Sequence, residues 1–262
     1  MKTPWALAAA GAALCLTAIL ATAACPAETE SGPGLIVFSS DRSGPWRIWT
    51  VRPDGDELTE LTKAGADEHD VDPAFSPDGR EILFSSTRGG TVGVWKMAAD
   101  GSKCERICDG DQADWSPDGA SIVLRRKERL YTRELASGKE TCISPADWPH
   151  PSGPAWSPDG KSIAFACRWD AGNAVFIVGA DGGEPVKVYD RKGACEPHWS
   201  PDGKRLLYET ETHVAAVDPD GKKNRLLTWF GGVQRYPQWS PDGTSIVFCQ
   251  APSERGPWEL YR

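Results

Sequence analysis

The apolar residues of this chain come in short consecutive runs: Ile36-Val37-Phe38, Ile82-Leu83-Phe84, Ile122-Val123-Leu124, Ile163-Ala164-Phe165, Leu206-Leu207-Tyr208 and Ile246-Val247-Phe248. Uninterrupted runs of this length predict β-strands covered on both faces. A second apolar element follows each run, as an apolar-aromatic pair in Ile48-Trp49, Val94-Trp95, Leu130-Tyr131, Val175-Phe176 and Leu260-Tyr261, and as Val214-Ala215 in the fifth case. These predict a further set of strands.

Five of the six runs are preceded by an aromatic residue and Ser-Pro-Asp-Gly, starting at Phe75, Trp115, Trp156, Trp199 and Trp239, with spacings of 40, 41, 43 and 40 residues. Pro presets φ, Asp bonds its local backbone, and Gly takes the positive φ that closes a hairpin. Another turn signal follows the third strand, at Asp54-Gly55, Asp100-Gly101, Ser137-Gly138, Asp181-Gly182 and Asp220-Gly221. A fourth, outermost strand then leads to Leu61-Thr62, Cys104 to Cys108, Ile143-Ser144, Val188-Tyr189 and Leu227-Thr228.

A four-stranded unit of about 40 residues copied in tandem is propeller-blade sized. The expected fold is all-β, a six-bladed β-propeller with incomplete first and last blades. The first unit starts at its second strand near Leu35, and the sixth stops inside its third at Arg262. That makes about 22 strands where six full blades need about 24, so the mode of ring closure is left open.

The 262 residues are 40% hydrophobic and 25% charged, enough to bury a core. Residues 1–24 carry a single charge, Lys2, then an Ala/Leu-rich stretch ending in small residues, and read as an export signal. Residues 25–34 are a short linker, and 35–262 the propeller. Cys25 stands where a lipidated cysteine would, making a lipid there the one expected tie to a membrane. The formal charge of −8 becomes −9 without Lys2, which argues against a nucleic-acid binder. Six cysteines remain besides Cys15 and Cys25, none in a CxxC pair. Cys167 and Cys195 are expected on one rim of adjoining blades, close enough to bridge.

The Trp-Ser-Pro-Asp-Gly motif, with its aliphatic run, Asp-Gly turn and closing Leu-Thr, resembles the repeats of the TolB-type, WD-like β-propellers. The resemblance covers residues 35–262. It implies a bacterial envelope propeller, which in TolB proper is a docking subunit for a peptidoglycan-associated lipoprotein. TolB carries an α/β domain before its propeller, whereas here only residues 25–34 separate the signal from the first blade.

In this architecture the loops leading into the innermost strands and the loops joining second to third strands share one face, the expected binding surface. Candidate binding residues there are Arg42, Arg88, Arg126, Trp148, His150, Arg168, Glu196, His198, Arg235 and Tyr236. One reading has each Arg paired with a carboxylate of a neighbouring blade. Another makes Arg, Trp and Tyr a docking rim for an envelope protein or a cell-wall glycan. A third uses Asp67, Glu68, His69, Asp70 and Asp72 with a second histidine as a metal site, as in histidine-ligated pectin-fragment lyases. No HExxH, EF-hand or GxSxG spacing is present. The expectation is a monomeric, non-enzymatic binding platform, periplasmic or extracellular, with no cofactor or metal; the alternative is a metal-assisted polysaccharide-active enzyme.

Overall fold

A computed structural model of the chain describes residues 34–262 except 64, 146, 170, 171, 191 and 192, together with the two-residue pieces Leu14–Cys15 and Leu20–Ala21. The rest of the proposed signal and linker, Cys25 included, lies outside the described residues.

The repeat region folds as six antiparallel sheets in chain order, a six-bladed β-propeller. The first blade has Leu35–Ser40, Arg47–Val51 and Thr59–Glu60. The second has Asp70–Phe75, Glu81–Ser86, Gly93–Ala98 and Glu105–Asp109. The third has Asp111–Trp115, Ser121–Arg126, Arg129–Glu134 and Glu140–Cys142. The fourth has Ser152–Trp156, Ser162–Trp169, Gly172–Gly179 and Gly182–Asp190. The fifth has Cys195–Trp199, Leu206–Glu209, Val214–Val217 and Arg225–Leu226. The last has three strands, Val233–Trp239, Ile246–Ala251 and Glu259–Tyr261. Each blade is thus one contiguous meander, as the repeat grammar requires.

The Ser of each Ser-Pro-Asp-Gly turn does more than the sequence suggests. Ser76 Oγ donates to Asp78 Oδ1 at 2.6 Å and accepts the Glu81 N–H at 2.9 Å, while Asp78 Oδ1 also accepts the Arg80 N–H at 3.1 Å. The same hub recurs at Ser116, Ser157, Ser200 and Ser240. Hydrogen bonding to the charged form holds Asp202 and Asp242 down to about 2. The turn glycines have φ between 66° and 73°, the left-handed region that favours glycine.

Consecutive apolar runs are explained by burial on both sides. Val37 and Ile48 pack on Phe75, Ile82, Phe84 and Met97 of the second blade, and equivalent clusters fill the next four junctions. The sixth joins last blade to first: Val233, Val247, Cys249, Trp258 and Leu260 pack on Ile36, Phe38 and Val51. Closure, left open by strand count, is achieved by this apolar seam.

The pieces Leu14–Cys15 and Leu20–Ala21 pair antiparallel with the inner edge of Leu35–Ser40, the place that an innermost strand takes in the other blades. The expected bridge is absent. Cys167 and Cys195 are free, the first donating to the Pro149 carbonyl at 2.9 Å and the second to that of Gly193 at 3.3 Å and to Glu209 at 3.3 Å. Lying on one rim brought them near a common loop level without turning their thiols together.

Candidate functional site

Each of the five innermost strands contains a bulge, seen as a break in register before the residue that precedes the aromatic. At its heart, three positions before the aromatic, stand Asp72, Gln112, Gly153, Glu196 and Tyr236, all with φ between 48° and 55°. Four of the five precede a proline, and a bulge is where a strand tolerates one. For a residue with a Cβ this backbone costs about 1–2 kcal/mol, so the strain is spent repeatedly at one level of the ring. Its effect is to turn the side chains of Asp72, Gln112, Glu196 and Tyr236 toward the axis.

Asp72, Gln112, Gly153, Glu196 and Tyr236 line one central cavity of about 150 Å³. A second layer lines it too, one position before each aromatic: Ala74, Asp114, Ala155, His198 and Gln238. Asp114 and His198 also border a cavity of about 230 Å³ that opens on the opposite face among Pro77, Pro117, Pro158, Pro201 and Pro241 of the turns. The two layers therefore form the waist of an axial channel.

The channel is acidic, and among the described residues no Arg or Lys lines its waist. Burial pushes Asp72 up to about 6, with Asp111 adding to it while Ser85 and Arg125 pull back. Burial likewise raises Asp114 to about 6 against hydrogen bonds from the Trp156 and Trp115 backbone. Glu196 rises to about 8 through burial, then through Glu209 and Asp72, with Arg125 opposing. Behind it Glu209, 2% exposed, is raised by burial to about 7 although it accepts the Tyr236 N–H and faces Arg235. His198 is lowered by burial to about 4 and is neutral near pH 7. Its Nδ1 accepts the Trp239 N–H at 3.4 Å, which leaves the ring proton on Nε2.

The loop-rich face is one face, as expected: Thr87 N–H donates to the His69 carbonyl at 3.0 Å, and Arg168 N–H to that of Pro149 at 3.3 Å. Two of the five candidate arginines on it pair within their own blade rather than with a neighbouring one. Arg88 closes on Asp70 of its own blade at 2.6 Å, and Arg126 on Glu140 of its own blade at 2.5 Å. The reason is that a second-to-third loop lies over the ends of strands in its own sheet. Arg235 alone among the candidates bridges blades, reaching Glu209 at 3.6 Å and Glu254 at 2.5 Å. Arg42 stacks on Phe38 and Trp49, and Arg168 is exposed.

Trp148 is packed inward, 4.5 Å from Phe176 and 5.9 Å from Phe165 between ring centroids, and belongs to the core. Convergence of His69 with His150 or His198, which the metal-site reading would need, is not seen, and the three histidines have separate partners. His69 Nδ1 accepts the Trp46 N–H at 3.3 Å, His150 pairs with Glu128 at the surface, and His198 lines the channel. Among the described residues no group of three His, Cys, Asp or Glu side chains is placed to hold a metal ion. Of the candidates, Glu196, His198 and Tyr236 share the channel. Gln112, Asp114 and Gln238 were missed, although their fixed distance from each aromatic is a signal readable once the bulge is known.

The sequence model of the TolB beta propeller domain matches residues 17–147 and 124–256. An uncharacterized protein of Agrobacterium fabrum (strain C58 / ATCC 33970) is 32% identical over 136 residues, 45% of this chain and 46% of that protein. A protein TolB homolog of Chlorobium luteolum (strain DSM 273 / BCRC 81028 / 2530) is 28% identical over 157 residues, 55% of this chain and 34% of that protein. The matches thus span less than half the length of these curated relatives. The crystal structure of TolB from Acinetobacter baumannii superposes with a TM-score of 0.68 at 16% identity, covering 83% of this chain and 60% of that one, a likeness of fold. Repeat motif, bladed ring and sequence match agree that this chain belongs to the TolB β-propeller family.

Proposed function

We propose that this chain is an exported, non-enzymatic binding platform of the bacterial cell envelope, which seats a positively charged segment of a partner protein in the mouth of its channel. The observation that carries the reading is the ring of half-buried carboxylates Asp72, Asp114 and Glu196 around one cavity, with no Arg or Lys among the described residues that line it. Carboxylates raised by burial are stabilised in their charged form when a cation enters, so a Lys or Arg of the ligand gains more here than at the open surface. Strained backbone at the same level keeps the carboxylates in place before the ligand arrives, which lowers the ordering cost of binding.

A protein is favoured over a cell-wall glycan because, among the described residues lining the waist, Tyr236 is the one Phe, Tyr or Trp. Sugar rings are held by stacking platforms as well as by hydrogen bonds to their hydroxyls, and the waist offers a single such platform.

Titration calorimetry with a tri-lysine peptide tests the reading. Binding is expected to tighten between pH 6 and pH 8.5, to weaken with salt, and to fall at least fivefold in Glu196→Gln and Asp72→Asn. Equal affinity in the parent and both variants would move the interface elsewhere.

A further inference from the structure

The second blade shows what an innermost strand does for the arginine beyond the end of the second strand. Arg88 is anchored to Ser86 Oγ by its backbone N–H at 3.1 Å and its Nε at 3.0 Å. Its guanidinium lies against Phe84 and Trp95, 5.3 and 5.2 Å from the ring centroids. The fork closes on Asp70, 0% exposed, at 2.6 Å. Asp70 is the first residue of the innermost strand and stands opposite Ser86 in the ladder.

The first blade repeats every part of this except the carboxylate. Arg42 is anchored to Ser40 Oγ by its backbone N–H at 3.3 Å and its Nε at 3.1 Å, and lies 5.1 and 5.2 Å from the rings of Phe38 and Trp49. Burial lowers its pKa, Asp41 opposing, and it forms no ion pair with a described carboxylate. The ladder position of Asp70 is taken by Leu14, opposite Ser40, with Leu20–Ala21 opposite Ile36 and Leu35. A leucine has no carboxylate to offer there. Leu14 and Leu20 belong to the stretch that reads as an export signal, whose removal frees the edge of Leu35–Ser40.

We propose that the inner edge of Leu35–Ser40 is a strand-acceptor site: an extended acidic segment of a partner protein adds to it antiparallel, with an Asp or Glu opposite Ser40 whose carboxylate closes on the Arg42 guanidinium. Unpaired main-chain groups of a sheet edge supply the affinity. The Arg–carboxylate pair fixes the register, since a slip of one residue turns the acidic side chain to the wrong face. The added strand takes the inner place of the first blade, the blade from which no described residue lines the channel waist. This site is separate from the carboxylate ring, and each stands or falls without the other.

The probe is a fluorescent synthetic peptide with the sequence of residues 68–76, which contains the natural innermost strand of the second blade. It is titrated against the protein as the expressing cell exports it, with the N-terminus read by intact mass. Saturable binding is expected, at least tenfold weaker with Asp70→Asn in the peptide or Arg42→Gln in the protein. Both changes together should lose no more than either alone, and amide exchange should slow at residues 35–40. An unchanged melting temperature of Arg42→Gln shows that the fold survives. If the leader is found still attached, the Leu14→Pro, Leu20→Pro double variant is used under the same criteria. No binding, or equal binding by Arg42→Gln, overturns the proposal.

Discussion

The Asp114 carboxylate accepts the backbone N–H of Trp156, one blade further round the ring, at 2.8 Å. His198 does the same for Trp239. At the junctions between, the stitch runs the other way: the indole N–H of Trp115 donates to the Ala74 carbonyl at 3.1 Å, and that of Trp199 to Ala155 at 3.2 Å. Where the position before the aromatic is Ala74 or Ala155 the neighbouring indole donates, and where it is Asp114 or His198 the side chain accepts. Asp114 and His198 therefore have a structural duty besides any part in binding.

Replacing Asp114 separates those duties. Asp114→Ala leaves a half-buried N–H without a partner and is expected to destabilise by about 1–3 kcal/mol, whereas Asp114→Asn keeps an acceptor and should lose less. Urea denaturation of both variants checks the order. Equal loss would mean that charge, not acceptance, is what the site uses.

Two opposing pH dependences follow from the channel. Glu196 has a folded value of about 8 against a reference of 4.5, so the folded state holds its proton more tightly; this contribution to stability is full below about 4.5 and is lost as pH rises through about 8. His198 has a folded value of about 4 against 6.5, so its contribution is full above about 6.5 and is lost as pH falls through about 4. Glu196→Gln is expected to flatten the decline between about pH 4.5 and pH 8, and His198→Gln the decline on acidification from about pH 6.5 to pH 4. Melting temperatures between pH 4 and pH 9 show whether each slope belongs to its residue.

The turns permit a comparison inside a single tetrad. Ser116 Oγ donates to Asp118 at 2.6 Å and accepts the Ser121 N–H at 2.9 Å, so Ser116→Ala removes both and should cost about 1–3 kcal/mol. Gly119→Ala pays for φ of 70° while its new Cβ comes no nearer than 3.9 Å to Pro77, giving about 1 kcal/mol of backbone strain. Thermal unfolding should rank serine above glycine.

The seam between last and first blades should matter as much as any other junction. Ile36 is 2% exposed within it, and Ile36→Ala is expected to destabilise by about 2–5 kcal/mol, comparable to Ile82→Ala between the first two blades. A much smaller effect at Ile36 would mean that the ring stands without its seam.

Most of the architecture was legible because its signals are local. Ser76-Pro77-Asp78-Gly79 carries its own turn chemistry, and Ile82-Leu83-Phe84 announces burial on both faces without knowledge of the neighbour. What was not legible depends on the third dimension. Nothing in Glu196-Pro197 states that the glutamate sits at φ of 48° and turns into a channel. Trp148 read as a rim aromatic because its loop is on the rim, yet its ring turns down onto Phe176. Arg88 read as a cross-blade staple, and only the ladder shows that Asp70 reaches it from within the same sheet. Pairing of Cys167 with Cys195 failed for the same reason: height on the ring can be counted along a repeat, but side-chain direction cannot.

Each sheet is drawn from its own stretch of chain, and the apolar cluster of Ile36, Phe38, Trp258 and Leu260 brings last to first. The molecule is in that respect a split washer. Its gap can be prised apart without unravelling any blade, and two such washers opened at the same place carry matching sticky ends. Under mild denaturant the expected early species is a gaping ring that interlocks with its twin.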